Sequence, residues 1–285
     1  MPRLGHVSFL NCCPLLWSLR RAGVLPGVVL HIDFPDRLSD DLVRGRLDAG
    51  PITLAGYLRH REHLLLLPGL AIGCDGPVLS CNIISRIPLE SLHNRTVGLG
   101  ATSRTTVLLA QLLLEERLKV RPRYSLCVPT VSGVLAHADA GVLIGDVALR
   151  AHLEEGPRLG LGVHDTGALW KEWTGLPMVF AVWAVRREFA ARHPAETARL
   201  AHDLRLARAH SADHLPEIAR DATALGTTIL PHQAAEYFRR LTFDLSPRHM
   251  DGIRAFVRLA ADRDAVPREQ AFDFLGAARP VGSVV

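Results

Sequence analysis

The polar residues able to act on a small molecule fall where an apolar, strand-like run gives way to a helix-like one. They are Ser8 and Asn11, Thr53, Ser80, the run Thr102, Ser103, Arg104 and Thr105, Ser132 with Gly133, and Gly145 with Asp146. In alternating α/β folds, ligands meet the carboxyl ends of strands and the N-termini of the helices that follow. The set is rich in hydroxyls and amides and holds one carboxylate. Such a composition suits a small anion gripped by helix N-termini and neutral donors.

The richest junction is GLGATSRTT, residues 98–106. Gly98 and Gly100 let backbone approach a ligand closely. Thr102, Ser103 and Thr105 can donate to oxyanions, and Arg104 adds charge. The same residues also suit a plain helix cap. Ser103 stands where a G-x-G-x-x-G motif has its third glycine, and no Walker-type lysine follows, so a nucleotide is disfavoured.

Each of the other candidates also has a simpler role. Asn11, Thr53, Ser132 and Asp146 are placed as helix caps or turn residues, and Ser8 as a strand-end serine. Ser80 interrupts an apolar run, where a hydroxyl needs a partner. As a cleft residue, Asp146 can hold a substrate hydroxyl or act as an acid or base. His60 and His63 are too few for a zinc site, and no G-x-S-x-G elbow marks a hydrolase. Trp170 and Trp173 read as helix-packing aromatics.

The elements that must position these residues follow from periodicity. Leu4–Phe9, Val28–Phe34 and Ala49–Thr53 read as strands. They are separated by helical patterns from Asn11 to Gly23 and from Pro35 to Gly45, and Leu54–His60 follows the third. This predicts βα units and a mostly parallel sheet. Pro77–Ser85 reads as a strand, after which the alternation restarts. Thr96–Leu99, a helix over Arg104–Arg117, and strands at Tyr124–Val128, Val142–Ile144 and Leu159–Val163 follow. Met178–Val185 is a long apolar strand, and four helical patterns complete the chain. The expected fold is α/β: two α/β lobes joined by two crossover strands, with a helical C-terminal part. Residues 1–82 and 181–285 are expected to form lobe 1, and 83–180 an inserted lobe 2, with the ligand in the crevice between them.

Composition narrows the function classes. The 285 residues carry 33 Lys+Arg against 29 Asp+Glu, with 6% aromatics. With no basic block, neither a nucleic-acid nor a membrane partner is expected. Five cysteines without a C-x-x-C read as reduced thiols. The first residues lack a secretory pattern, which predicts a cytoplasmic location. The longest apolar stretch, Leu64–Leu67 before Pro68, is too short to span a bilayer.

Several stretches in order resemble one family: VSFLNCCPLLWSL, GPVLSCNIIS, ATSRTTVLLAQLLL, VLIGDVAL and LWKEWTGLPMVFAVWAVRREF. They look like the chorismate dehydratases of menaquinone biosynthesis by the futalosine route. The resemblance implies a type II periplasmic-binding-protein-like fold. It also implies conversion of chorismate to 3-[(1-carboxyvinyl)oxy]benzoate and water, without metal or organic cofactor. On that reading Asn11, Ser80 and Asp146 are the catalytic candidates. Ser8, Thr53, Thr102, Ser103, Arg104, Thr105, Ser132, Gly133 and Gly145 bind substrate. A more distant resemblance is to 1,4-dihydroxy-6-naphthoate synthase of the same route. A non-catalytic solute-binding protein for a small anion shares the fold and is the alternative from another class.

Overall fold

The computed structural model describes residues 1–24, 27–100, 103–224, 228–261, 263, 266–267 and 271–276. The chain opens with β1 (Arg3–Val7), α1 (Cys13–Arg21), β2 (Val29–Asp33), α2 (Pro35–Val43), β3 (Ala49–Thr53), α3 (Leu54–His60) and β4 (Leu64–Cys74). A second set follows: β5 (Cys81–Ser85), β6 (Thr96–Leu99), α4 (Arg104–Leu112), β7 (Arg123–Leu126), α5 (Val131–His137), β8 (Ala140–Ile144), α6 (Gly145–Arg150), α7 (Gly156–Leu159), β9 (Gly162–Asp165) and α8 (Thr166–Thr174). The chain then runs through β10 (Met178–Arg186), α9 (Arg187–Arg192), α10 (Pro194–Ala212), α11 (Leu215–Thr223), α12 (Pro231–Arg240), β11 (Leu241–Thr242) and α13 (Pro247–Ala260).

Two sheets result. The six-stranded one has the order β11-β4-β10-β3-β1-β2, and the five-stranded one β7-β6-β8-β5-β9. The first draws on strands before residue 75 and after 177, the second on strands between 81 and 165. Both sheets are mixed, where the sequence predicts mostly parallel ones. The reason is directional. β4 leaves the first sheet and β10 returns to it, so β10 runs antiparallel to both β4 and β3. Likewise β5 runs antiparallel to β8 and β9.

β4 is missed by the sequence reading because Pro68 and Gly69 look like a break. The strand survives by bulging. Ala184 of β10 pairs with Leu66 and Val182 with Ala71, so four residues of β4 oppose one of β10. Gly69, at φ +73°, supplies the left-handed residue of the bulge. Pro77–Ser85 is strand only from Cys81. Leu79 sits at φ +61°, which no extended strand tolerates. The chain passes between the sheets in a bent loop over residues 75–80 that follows β4, and in α8 with the turn that leads into β10.

The largest apolar cluster joins the lobes. Ile52 of β3 and Phe256 of α13 share it with Leu108 and Leu112 of α4. Trp170 is fully buried there against Trp173 and Phe256, the packing role its helical spacing predicts. A second cluster sets Tyr237 and Phe238 of α12 against Leu10 and against Leu149 of α6, so the C-terminal helices touch both lobes. Among the described residues no helix is long and apolar enough to cross a membrane.

His6 in β1 is 2% exposed. Burial, helped by the nearby Arg20 charge, lowers its pKa from 6.5 to about 4. In the unfolded chain the ring takes a proton near pH 6.5, while the folded one resists until about 4. The unfolded state therefore binds more protons across that window, and stability falls as pH drops through it. The loss is on the order of 3 kcal/mol for this group. Melting midpoints at pH 7 and pH 5 should differ more in the native protein than in His6→Leu. Equal pH dependence in the two would assign the acid sensitivity to other groups.

Candidate functional site

A cavity of about 50 Å³ lies between the lobes. Its polar wall consists of Asn11, Thr53, Ser80, Cys81, Ser103 and Thr106, and Phe9, Ile52, Ile72, Ile144 and Phe180 supply much of the apolar wall. Each polar residue arrives from a junction. Asn11 rides a single 3-10 turn, Leu10–Cys12, between β1 and α1. Thr53 ends β3 and caps α3, its hydroxyl accepting the Gly56 N–H at 3.2 Å. Ser103 caps α4 by accepting the Thr106 N–H. Residues three apart share a helix face, so Ser103 and Thr106 face the cavity together, with 3.3 Å between their hydroxyls.

Gly145 lines the cavity at the start of α6. Its φ is +65°, and a Cβ there would meet the Phe9 ring at 2.8 Å. Only glycine allows this turn and this closeness at once.

The structure moves several expected residues elsewhere. Ser8 is exposed, and its backbone N–H donates to Asp33 O at 3.1 Å, outside the cavity. The Arg104 guanidinium turns to Asp36 and Asp40, at 3.5 and 3.1 Å. The Thr105 hydroxyl is fully buried and accepts the Ala55 N–H at 2.9 Å. Neither lines the cavity, because one and two residues along a helix from Ser103 face other ways. Ser132 is exposed and Gly133 packs against Val128; Thr130, not Ser132, caps α5. Thr102 lies outside the described residues.

Asp146 is neither the cap of its own helix nor a cavity residue. Ile144 is the N-cap of α6. The Asp146 carboxylate crosses to the other lobe and accepts the Leu10 N–H at 2.9 Å. Burial raises its pKa, opposed by that hydrogen bond and by the Arg150 charge. Asp36 makes the reciprocal link from the first lobe, accepting the Arg104 N–H at 3.2 Å. Asn11 does not cap a helix either. α1 begins at Cys13 with Pro14 in its first turn, and the buried Asn11 Oδ1 has no hydrogen-bond partner among the described residues. A buried acceptor left open in a cavity wall is a place for a ligand donor.

The cavity wall contains no charged side chain among the described residues. Burial pushes the Cys81 thiol up to about 12, so it stays neutral. Ser80, 2% exposed, accepts a 2.7 Å hydrogen bond from the hydroxyl of Tyr237, a residue that no sequence pattern singles out. The site therefore offers hydroxyl, amide and backbone donors, one open acceptor and aromatic walls. It is built to surround a small molecule with neutral groups.

Asp146→Asn keeps an oxygen that accepts the Leu10 N–H, so near-normal activity and melting are expected. Asp146→Ala removes the link between the lobes and should weaken ligand binding by about 3–10-fold, the worth of one hydrogen bond. A loss of activity of about 100-fold or more in Asp146→Asn would restore an acid role.

Comparison with known proteins places this geometry. Residues 2–262 match the family model described as menaquinone biosynthesis. The chain is 33% identical over 265 residues to a chorismate dehydratase of Thermus thermophilus, covering 89% of this chain and 93% of that protein. It is 27% identical over 271 residues to the 1,4-dihydroxy-6-naphtoate synthase of the same organism, covering 92% and 94%. Among solved structures, a Candida albicans protein described as having the generic periplasmic-binding-protein fold superposes with a TM-score of 0.66. It is 10% identical and covers 93% of each chain, a likeness of fold alone. The two-lobed α/β architecture is thus periplasmic-binding-protein-like, and the chain belongs to the menaquinone-biosynthesis family.

Proposed function

We propose that this protein is a chorismate dehydratase, a carbon–oxygen lyase that forms 3-[(1-carboxyvinyl)oxy]benzoate and water. The observation that carries the proposal is the uncharged cavity wall in which Ser80 and the open Asn11 Oδ1 stand together. The 33% identity to a dehydratase supports it over the 27% identity to the naphthoate synthase.

The chemistry suits a site without a strong base. Chorismate has a ring carboxylate, an enolpyruvyl carboxylate and a hydroxyl leaving group. The proton beside the enolpyruvyl ether is acidified by conjugation to the ring carboxylate. It departs, the carbon–oxygen bond to the hydroxyl breaks, and the ring gains its third double bond. Proton and hydroxide together make the released water. The substrate's own enolpyruvyl carboxylate takes the proton, so the protein must orient, shield and assist departure. Asn11 and Ser80 orient the leaving hydroxyl: the open Asn11 Oδ1 accepts its proton and Ser80 donates to its oxygen. Ser103, Thr106 and the start of α4 supply donors for a carboxylate. Phe9 and Phe180 cover the ring.

The test is incubation of pure protein with chorismate, followed by absorbance and mass. Loss of one water with appearance of an aromatic product is expected, and chorismate recovered unchanged would leave a solute-binding role. Turnover should be nearly flat from pH 6.5 to 9, because among the described residues no group lining the cavity titrates there and the Cys81 thiol stays protonated. A bell-shaped profile inside that range would require a base from the protein.

A further inference from the structure

We propose that Tyr237 is a positioning residue that fixes the Ser80 hydroxyl as a hydrogen-bond donor into the cavity. This deepens the dehydratase reading and rests on it. Tyr237 lies on α12, 157 residues from Ser80 along the chain, and is 1% exposed. Its hydroxyl donates to Ser80 Oγ at 2.7 Å. A buried phenol needs an acceptor for its proton, and Ser80 provides it. Burial holds the Tyr237 pKa well above its ordinary value, so the group stays a donor at working pH.

The consequence falls on Ser80. A serine hydroxyl has one proton and two lone pairs. With one lone pair taken by Tyr237, the Ser80 proton is free for another acceptor. The thiol of the next residue, Cys81, would be only a weak acceptor. Ser80 lines the cavity, so an oxygen brought by a ligand is the stronger acceptor.

The Ser80 backbone is already held. Its N–H donates to Val78 O and its carbonyl accepts the Gly145 N–H, both at 2.8 Å. Rotation of the side chain is the freedom that remains, and Tyr237 removes it. The ring of Tyr237 packs beside Leu10, Leu149 and Phe238. A phenylalanine would fill that space equally well, and among the described residues Ser80 is the partner that calls for the hydroxyl.

In the dehydration, the carbon–oxygen bond breaks and its electron pair leaves with the oxygen. A donor already aimed at that oxygen stabilises the growing charge without having to reorganise. The proton lost from the ring carbon then completes the water, and Ser80 and Tyr237 end as they began.

The experiment is a double-mutant cycle of Tyr237→Phe and Ser80→Ala, with melting midpoints as the folding control. Both kcat and KM for chorismate are measured, and chorismate binding is followed by calorimetry. Tyr237→Phe should lower kcat by about 3–10-fold, the scale of one neutral hydrogen bond, with KM changed less than about twofold. The double variant should be no slower than Ser80→Ala, because Tyr237 acts through that hydroxyl. Unchanged kcat in Tyr237→Phe, or effects that multiply in the double variant, would overturn the proposal. Chorismate bound but not converted by the native protein would end the dehydratase reading alone. The same cycle read in binding constants then decides whether Tyr237 and Ser80 are coupled. Chorismate neither bound nor converted overturns both.

Discussion

The carboxylate of Asp165 holds the two passages of the chain between the lobes against each other. One oxygen accepts the N–H groups of Val78 and Leu79, at 2.9 and 2.6 Å, in the first passage. The other accepts the Ala168 N–H at 2.9 Å and so caps α8, which opens the second passage. Hydrogen bonds to a carboxylate are among the stronger ones, and this group is 8% exposed. They hold Leu79 at φ +61°, a conformation that costs a leucine on the order of 1 kcal/mol or more. That bend delivers Ser80 to the cavity. The Thr166 hydroxyl adds a 2.9 Å bond to Cys81 O, tying the second passage to the first residue of β5. Remove the Asp165 carboxylate, and Ser80 loses the turn that aims it and α8 loses its cap.

The lobes are then held together across the cleft by hydrogen bonds to backbone amides. Asp146 reaches Leu10, Asp36 reaches Arg104, and the Thr105 hydroxyl reaches Ala55. Water replaces each of these when the lobes part, so each contributes only about 0.5–1.5 kcal/mol net. A cavity of about 50 Å³ is small beside the roughly 300–1,000 Å³ of ordinary ligand pockets. On the proposed function, a ring with two carboxylates must enter, and that requires the lobes to separate. Links of this modest strength permit that, while the apolar wall around Phe9 and Phe180 favours closing again.

Local chemistry was legible where it stayed local. Thr53 and Ser103 are cap residues at strand-to-helix junctions, and the cavity lies at those junctions. Gly145, a binding candidate in the sequence, lines that cavity. Arg104 and Thr105 misled because adjacent residues were read as one site, although a helix turns each of them to a different neighbour. Asp146 misled because a carboxylate after a strand suggests a cap. Gly145, at φ +65°, instead redirects the chain so that Asp146 meets the other lobe. Tyr237 and Asp165 were invisible for a different reason. Ser80 lies 157 residues from Tyr237, and the two amides Asp165 holds in the first passage lie 86–87 residues from it; no local spacing encodes such contacts. β4 was hidden by Pro68, whose missing N–H is harmless within a bulge.

The quenching of Arg104 by Asp36 and Asp40 bears on the proposed chemistry. A guanidinium beside a carboxylate stabilises its charged form and lowers its pKa, by roughly 1–3 pH units in a close pair. A substrate carboxylate that must itself remove a proton would be weakened as a base by such a partner. Neutral hydroxyls and a helix start hold the same carboxylate while depressing its basicity less, since hydrogen bonds between neutral donors and an anion carry no full opposing charge. A cleft meant only to retain an anion would gain from turning Arg104 inward. In this protein Arg104 is turned outward and occupied, and Ser103 and Thr106 of the same helix turn face the cavity. On the proposed function, that arrangement trades binding strength for a substrate that keeps its own reactivity, which a dehydratase needs and a solute carrier does not.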